Sequence, residues 1–184
     1  KLIIQNNVYL DQIKEEFQTK VNSKLEIAQK GFFQDEIFGN TGPLPPRSGQ
    51  TTTYTIAWPA KNYYNEVKNV KVKTILPQYV QLTGKIFPED ARLTFDSQSR
   101  EIVWEVGDMQ VGQGVLNPAP NVSFQVAFLP SSSQIGQTPD IIGQTKITGD
   151  DSWTNVITQG ISSGVNTSFN ATDTASLQQG TVTY

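Results

Sequence analysis

Large apolar side chains in the middle of this chain recur every second residue. Tyr54, Ile56 and Trp58 alternate with Thr53, Thr55 and Ala57. Val70 and Val72 alternate with Lys71 and Lys73; Ile102, Trp104 and Val106 with Val103 and Glu105. Val122, Phe124, Val126 and Phe128 alternate with Ser123, Gln125 and Ala127. A period of two puts each set on one face of a strand, whereas a helix would scatter it around its circumference. Between the runs lie chain-bending clusters: Gly39 to Pro43, Pro45-Pro46, Leu76-Pro77, Asp96 to Ser99, Gly112-Gln113-Gly114 and Asn117 to Pro120. Strands so punctuated predict an all-β fold, a sandwich of two antiparallel sheets with extended N- and C-terminal flanks. Further strands are expected at Lys24–Phe33, Tyr79–Phe87, Ile141–Thr148 and Ser152–Thr158, the first and last as edges. Phe95 and Ile102 should bracket a hairpin, and Phe32-Phe33 should tuck into the core.

The flanks read differently. Leu10, Ile13, Phe17 and Val21 fall at three- and four-residue steps, so Val8–Gln29 reads as a short helix or helical linker; the competing reading makes Lys1–Ile13 the last strand of a preceding domain and Glu16–Ser23 its exit. The β-branched start, Lys1-Leu2-Ile3-Ile4, favours the second reading. Residues 1–23 are therefore expected to be a linker or the end of a preceding domain, 24–160 the sandwich, and 161–184 a polar extended tail with one terminal strand as an alternative. The opening Lys1 is read as the start of a segment of something longer.

Composition narrows the chemistry. The 184 residues contain no Cys and no His. Disulfides, thiolate zinc sites, cysteine nucleophiles, imidazole metal sites and Ser-His-Asp arrangements are thereby excluded. Fourteen basic against seventeen acidic residues give a net charge of −3, the wrong sign for non-specific nucleic-acid binding. No stretch approaches the ~20 apolar residues of a membrane span. Polar positions favour Thr, Ser, Asn and Gln over charged residues, as on extracellular β-proteins, so an extracellular or cell-surface location is expected.

Paired carboxylates are the one catalytic class left. Asp35-Glu36, Glu89-Asp90 and Asp150-Asp151 are each adjacent pairs in expected turns. Neighbours on a strand point to opposite faces, so none makes an acid and nucleophile by itself; no catalytic residue is assigned. Calcium wants six to eight oxygens, and Asp150 and Asp151, aided by Asp140, supply few. No metal or other cofactor is assigned, with calcium at Asp150 and Asp151 left as an open alternative. Gly112-Gln113-Gly114 has the wrong spacing for a phosphate-binding fingerprint. Lys61, Lys68, Lys71 and Lys73 read as a solvated basic face, the last two on one strand where they also discourage sheet-to-sheet pairing. Tyr63, Tyr64 and Trp153 are the rings that a glycan-binding loop surface would use. Asn121, Asn166 and Asn170 are formal glycosylation acceptors of a kind that chance supplies in so Asn- and Thr-rich a chain.

The stretch from Ser48 to Trp58, SGQTTTYTIAW, resembles the opening strand of the bacterial and archaeal surface-repeat domain, an immunoglobulin-like module of unknown function strung in tandem on large exported proteins. The order that follows is also similar: Asn62 and Asn65, then Val67, Val70 and Val72, then Leu76-Pro77 and Val80. Ile102 to Gly107, Val111-Gly112 and Phe124-Gln125-Val126 complete it, so the resemblance covers roughly residues 41–129. Trp58-Pro59 departs from the pattern and predicts an early end to that strand. The resemblance implies no catalytic residues. It implies an immunoglobulin-like antiparallel β-sandwich used as a spacer, stalk or adhesive module. The expected function is a non-catalytic structural module, part of a surface layer or filament, whose partners are neighbouring domains or copies of itself. The alternatives are an adhesion module binding a surface glycan or protein, and a subunit that polymerises by donating a strand from residues 1–23 or 162–184.

Overall fold

A computed structural model of the chain describes residues 1–169 and 180–184. In chain order the strands are β1 (Leu2–Leu10), β2 (Ile13–Val21), β3 (Leu25–Ile27), β4 (Lys30–Phe32), β5 (Thr52–Asn62), β6 (Val67–Ile75) and β7 (Val80–Phe87). There follow β8 (Leu93–Phe95), β9 (Glu101–Met109), β10 (Asn121–Phe128), β11 (Asp140–Ile142), β12 (Thr145–Asp151), β13 (Ile157–Ser162) and β14 (Val165–Asn166). One sheet runs β3-β5-β10-β7, with β4 also on β5; the facing sheet runs β13-β12-β6-β9-β8. Every pairing between these strands is antiparallel. The fold is an immunoglobulin-like β-sandwich.

The alternating residues meet between the sheets. Tyr54, Ile56, Trp58, Phe124, Val126 and Phe128 from the first sheet face Val70, Val72, Ile102, Trp104 and Ile147 from the second, all buried. Trp58 stands edge-on to Phe124, ring centroids 4.8 Å apart, the geometry that ring quadrupoles favour. Its indole N–H donates to Gln29 Oε1 at 2.7 Å, and the Thr145 hydroxyl donates to the same oxygen. One amide thus ties the two sheets together across the interior, so a large polar-tipped ring is buried without an orphan donor. Val106 is only half-buried, and Phe33 packs against Tyr54 at the margin of the core while Phe32 stays half-exposed.

Several boundaries differ from the sequence reading. Strand β5 continues through Pro59, opposite Asn121, to Asn62. Pro59 O accepts from Ala28 N, so the proline's missing N–H falls on the side where β3 and β4 are interrupted at Ala28-Gln29. That gap makes a proline tolerable in an interior strand. The expected strand Lys24–Phe33 is accordingly two short strands, and Ile141–Thr148 is divided between β11 and β12. Residues 152–156 form a turn and β13 starts only at Ile157. Gly107 lies inside β9 with φ 89° at a bulge opposite Val70. The Phe95–Ile102 hairpin forms in the expected register.

Residues 2–21 are neither a helix nor a single strand. They are a two-stranded hairpin, β1 against β2, joined at Asp11-Gln12 with Asp11 at φ 51°. At the other end, β14 pairs with β11, Phe169 packs on Tyr54 at 5.1 Å, and Val182 is buried. The expected terminal strand at 180–184 is a single parallel bridge between Thr183 and Arg47.

Candidate functional site

The hairpin stands clear of the sandwich: every residue from Leu2 to Lys20 is exposed. Its register pairs Leu10 with Ile13, Val8 with Glu15, Asn6 with Phe17, Ile4 with Thr19 and Leu2 with Val21. Alternation places those side chains on one face, and Gln5, Asn7, Lys14, Glu16, Gln18 and Lys20 on the other with Ile3 and Tyr9. The first face is therefore largely apolar yet wet, with Leu10 71%, Ile13 63%, Val8 55% and Phe17 51% exposed. A contiguous exposed apolar surface of this kind marks a place of contact.

The root of the hairpin is built as carefully as the core. Asp151 ends β12, buried, and each carboxylate oxygen takes two N–H donors. Oδ2 accepts from Ser23 N (2.5 Å) and Asn65 Nδ2 (2.9 Å); Oδ1 accepts from Trp153 N (2.8 Å) and Thr154 N (3.0 Å). Burial alone would raise its pKa, but those donors outweigh it and hold the carboxyl below its ordinary value. Asn65 reaches both hairpin strands, accepting from Leu2 N and donating to Val21 O. Ser23 Oγ donates to Asn62 Oδ1, whose amide nitrogen donates to Asn65 O, Met109 O and Gln110 O. Trp153 closes the root: its Nε1 donates to Leu2 O, and the Lys1 and Lys20 ammonium groups stand 4.7 and 4.3 Å from its ring centre. Alongside, Glu26 accepts from Tyr63 Oη at 2.9 Å and pairs with Lys61 and Lys24 at 3.1 Å each. The tyrosine hydroxyl first, then Lys61 and Lys24, pull its pKa down from 4.5 to about 2.

The features singled out in the sequence are thus distributed unevenly. Trp153 binds the hairpin's root, whereas Tyr63 packs on Tyr64, ring centroids 5.8 Å apart, and donates to Glu26. Tyr64 meets the root through its backbone, its N–H donating to Ser23 Oγ and its carbonyl accepting from the Lys1 α-ammonium. Asp150 and Asp151 diverge: Asp150 accepts from Asn69 on the exposed side, while Asp151's oxygens face only N–H donors that a calcium ion would have to displace. Asp35 caps its own turn, accepting from Ile37 N, Phe38 N and the Thr55 hydroxyl, and Glu36, Glu89 and Asp90 lie at the surface. Asp140 lies in β11, away from both. Gly112 and Gly114, at φ 72° and 83°, shape the turn between β9 and β10. Of the lysines, Lys61, Lys71 and Lys73 are each paired with a glutamate. Asn121 is exposed, Asn166 Oδ1 accepts from Ser168, and Asn170 lies outside the described residues. Among the described residues no group of three or more carboxylates is placed to hold a metal ion, and no helix is long and apolar enough to cross a membrane. Ser23 and Gln29 were not singled out by the sequence; only their partners, far away in the chain, reveal them.

No family model matches the chain, and no curated protein matches it in sequence. Among solved structures, it is similar to BcpA, the major pilin subunit of Bacillus cereus, at 14% identity over 87% of this chain, with a TM-score of 0.49. It is also similar to the full-length major pilin SpaD of Corynebacterium diphtheriae at 12% identity over 78% of this chain, with a TM-score of 0.42. The chain spans 50% of that BcpA chain and 35% of the SpaD chain.

Proposed function

We propose that this chain is a non-catalytic structural spacer of a bacterial surface or secreted protein, set in series with neighbouring domains or copies of itself. The observation that carries this reading is the placement of its two ends. The hairpin is rooted beside Asn62 and Asn65, at the end of β5, whereas Thr183 accepts from Ser48 N and donates to Pro46 O, just before β5 begins. The eleven residues of β5 lie between these poles, roughly 35 Å at ~3.3 Å per residue. A module entered at one pole and left at the other adds its own length to a string. Dense cross-ties at the root keep the entry from pivoting freely.

Two copies joined end to end test the reading by small-angle scattering. The expected result is an elongated particle whose maximum dimension grows by at least ~35 Å over the single copy. A tandem whose maximum dimension grows by less than half that length, the two copies folded back flank to flank, would overturn it.

A further inference from the structure

The sandwich is sealed along one long side and open along the other. On the sealed side β13 abuts β3 so closely that a Cβ on Gly160 would stand 2.4 Å from Leu25 O, and Thr158 Oγ1 donates to Ser23 O. On the open side, among the described residues, β7 pairs only with β10, and β8 only with β9. Strand β8 offers three residues and β7 eight, with a bulge at Gly84 (φ 89°) and with Lys85 Nζ donating to the Phe38 carbonyl. Between these edges the core is incompletely covered: Leu82 and Ile86 of β7, Leu93 and Phe95 of β8 and Val106 of β9 are half-buried and pack against the interior from this side. The same molecule thus has a sheet edge lacking a strand and a nine-residue-per-strand ribbon lacking a cover for its apolar face.

We propose that the apolar face of the β1–β2 ribbon seats on the open β7/β8 side of a second copy, one ribbon edge extending the β7 sheet by main-chain hydrogen bonds. Lengths agree, nine residues against eight. Side chains agree as well, since an added strand must turn an alternating apolar row inward over Leu82 and Ile86, as Leu2, Ile4, Val8 and Leu10 would. Size argues against the rival symmetric arrangement of ribbon on ribbon. A face ~30 Å long and ~10 Å wide covers about 300 Å², against the ~800 Å² per partner of a stable interface. A ribbon laid on a sheet edge gains hydrogen bonds and the second layer beneath. The choice of a second copy as occupant rests on the spacer reading, in which copies lie in series.

The absence of cysteine makes the contact directly measurable in the full chain. Val8→Cys, Leu82→Cys and Lys71→Cys are made singly; Lys71 faces outward on β6, away from the open side. Under mild oxidation, a mixture of Val8→Cys and Leu82→Cys should form at least about tenfold more mixed disulfide dimer than Val8→Cys with Lys71→Cys, because only Cα atoms within ~7 Å can be bridged. Leu10→Asp, an exposed substitution that leaves the core untouched, should abolish that dimer. Equal yields in the two mixtures, or a predominant Val8→Cys self-dimer, overturn the proposal. The end-to-end length of a linked tandem does not depend on this disulfide, so the two readings fail separately.

Discussion

At the scale of single residues, the most consequential side chain is one that looked like a solvated turn carboxylate. Asp151 is buried with four N–H donors from three parts of the chain, a set that no reading of adjacent residues could assemble. Asp151→Ala leaves all four without an acceptor and should cost about 3 kcal/mol, measured by chemical denaturation, with new protease cleavage between Val21 and Lys24 as the root loosens. Glu26 provides a milder, pH-dependent case. Its folded pKa, about 2, lies below the ordinary 4.5, so its contribution is fully present above pH 4.5 and disappears as pH falls through 2. The side chain is 34% exposed, so solvent screening limits the effect. Glu26→Gln should therefore lower stability by no more than about 1 kcal/mol at neutral pH, and the difference between the two proteins should close between pH 4.5 and pH 2 in parallel urea titrations. A gap that widened on acidification would contradict the assignment.

Among the elements, the four alternating runs were legible because each carries enough large apolar groups to declare a buried face. The limits of strands were less so, since they depend on what lies alongside. Nothing local to Ala28-Gln29 stops a strand; the interruption faces Pro59 on the neighbouring strand. Residues 152–156 leave the ladder because Asp151 offers their N–H groups a better acceptor, the usual competition between an aspartate side chain and a strand. The hairpin was obscured by arithmetic. Ile13, Phe17 and Val21 are four apart, a spacing shared by one face of a helix and one face of a strand, and Leu10 to Ile13 spans the turn. The sealed side of the sandwich gives an element-level expectation. Gly160→Ala pushes a methyl group into Leu25 O, so it should destabilise by about 1–3 kcal/mol and free β3 from β13, seen as faster amide exchange at Leu25 to Ile27. Exchange unchanged at those amides would show that the two strands are not in such contact.

For the molecule as a whole, the hairpin and the sandwich are unequal partners. The ribbon contributes no side chain to the buried core, which begins at Leu25. Removing residues 1–21 should leave Trp58 and Trp104 in their dry surroundings, with blue-shifted fluorescence and a cooperative thermal transition within a few degrees of the full chain. Broad, non-cooperative melting of the shortened protein would mean that the ribbon is part of the folding unit. The sandwich architecture could be read from the sequence because burial is periodic. The ribbon could not, because its apolar residues are exposed within the chain and their four-residue spacing fits a helix as well as a strand.

The direction of the hairpin has a mechanical consequence. Lys1 sits at the root, and β1 runs outward before β2 returns to the sandwich. A pull on Lys1 directed away from the sandwich would first break the ties of Lys1 and Leu2 to Tyr64, Asn65 and Trp153, and would then open the ladder one rung at a time from Leu2 and Val21. Once the root had parted, straightening those twenty residues would pay out roughly 70 Å of slack before further load reached the sheets, so the ribbon would act as a shock absorber in front of a stiff body.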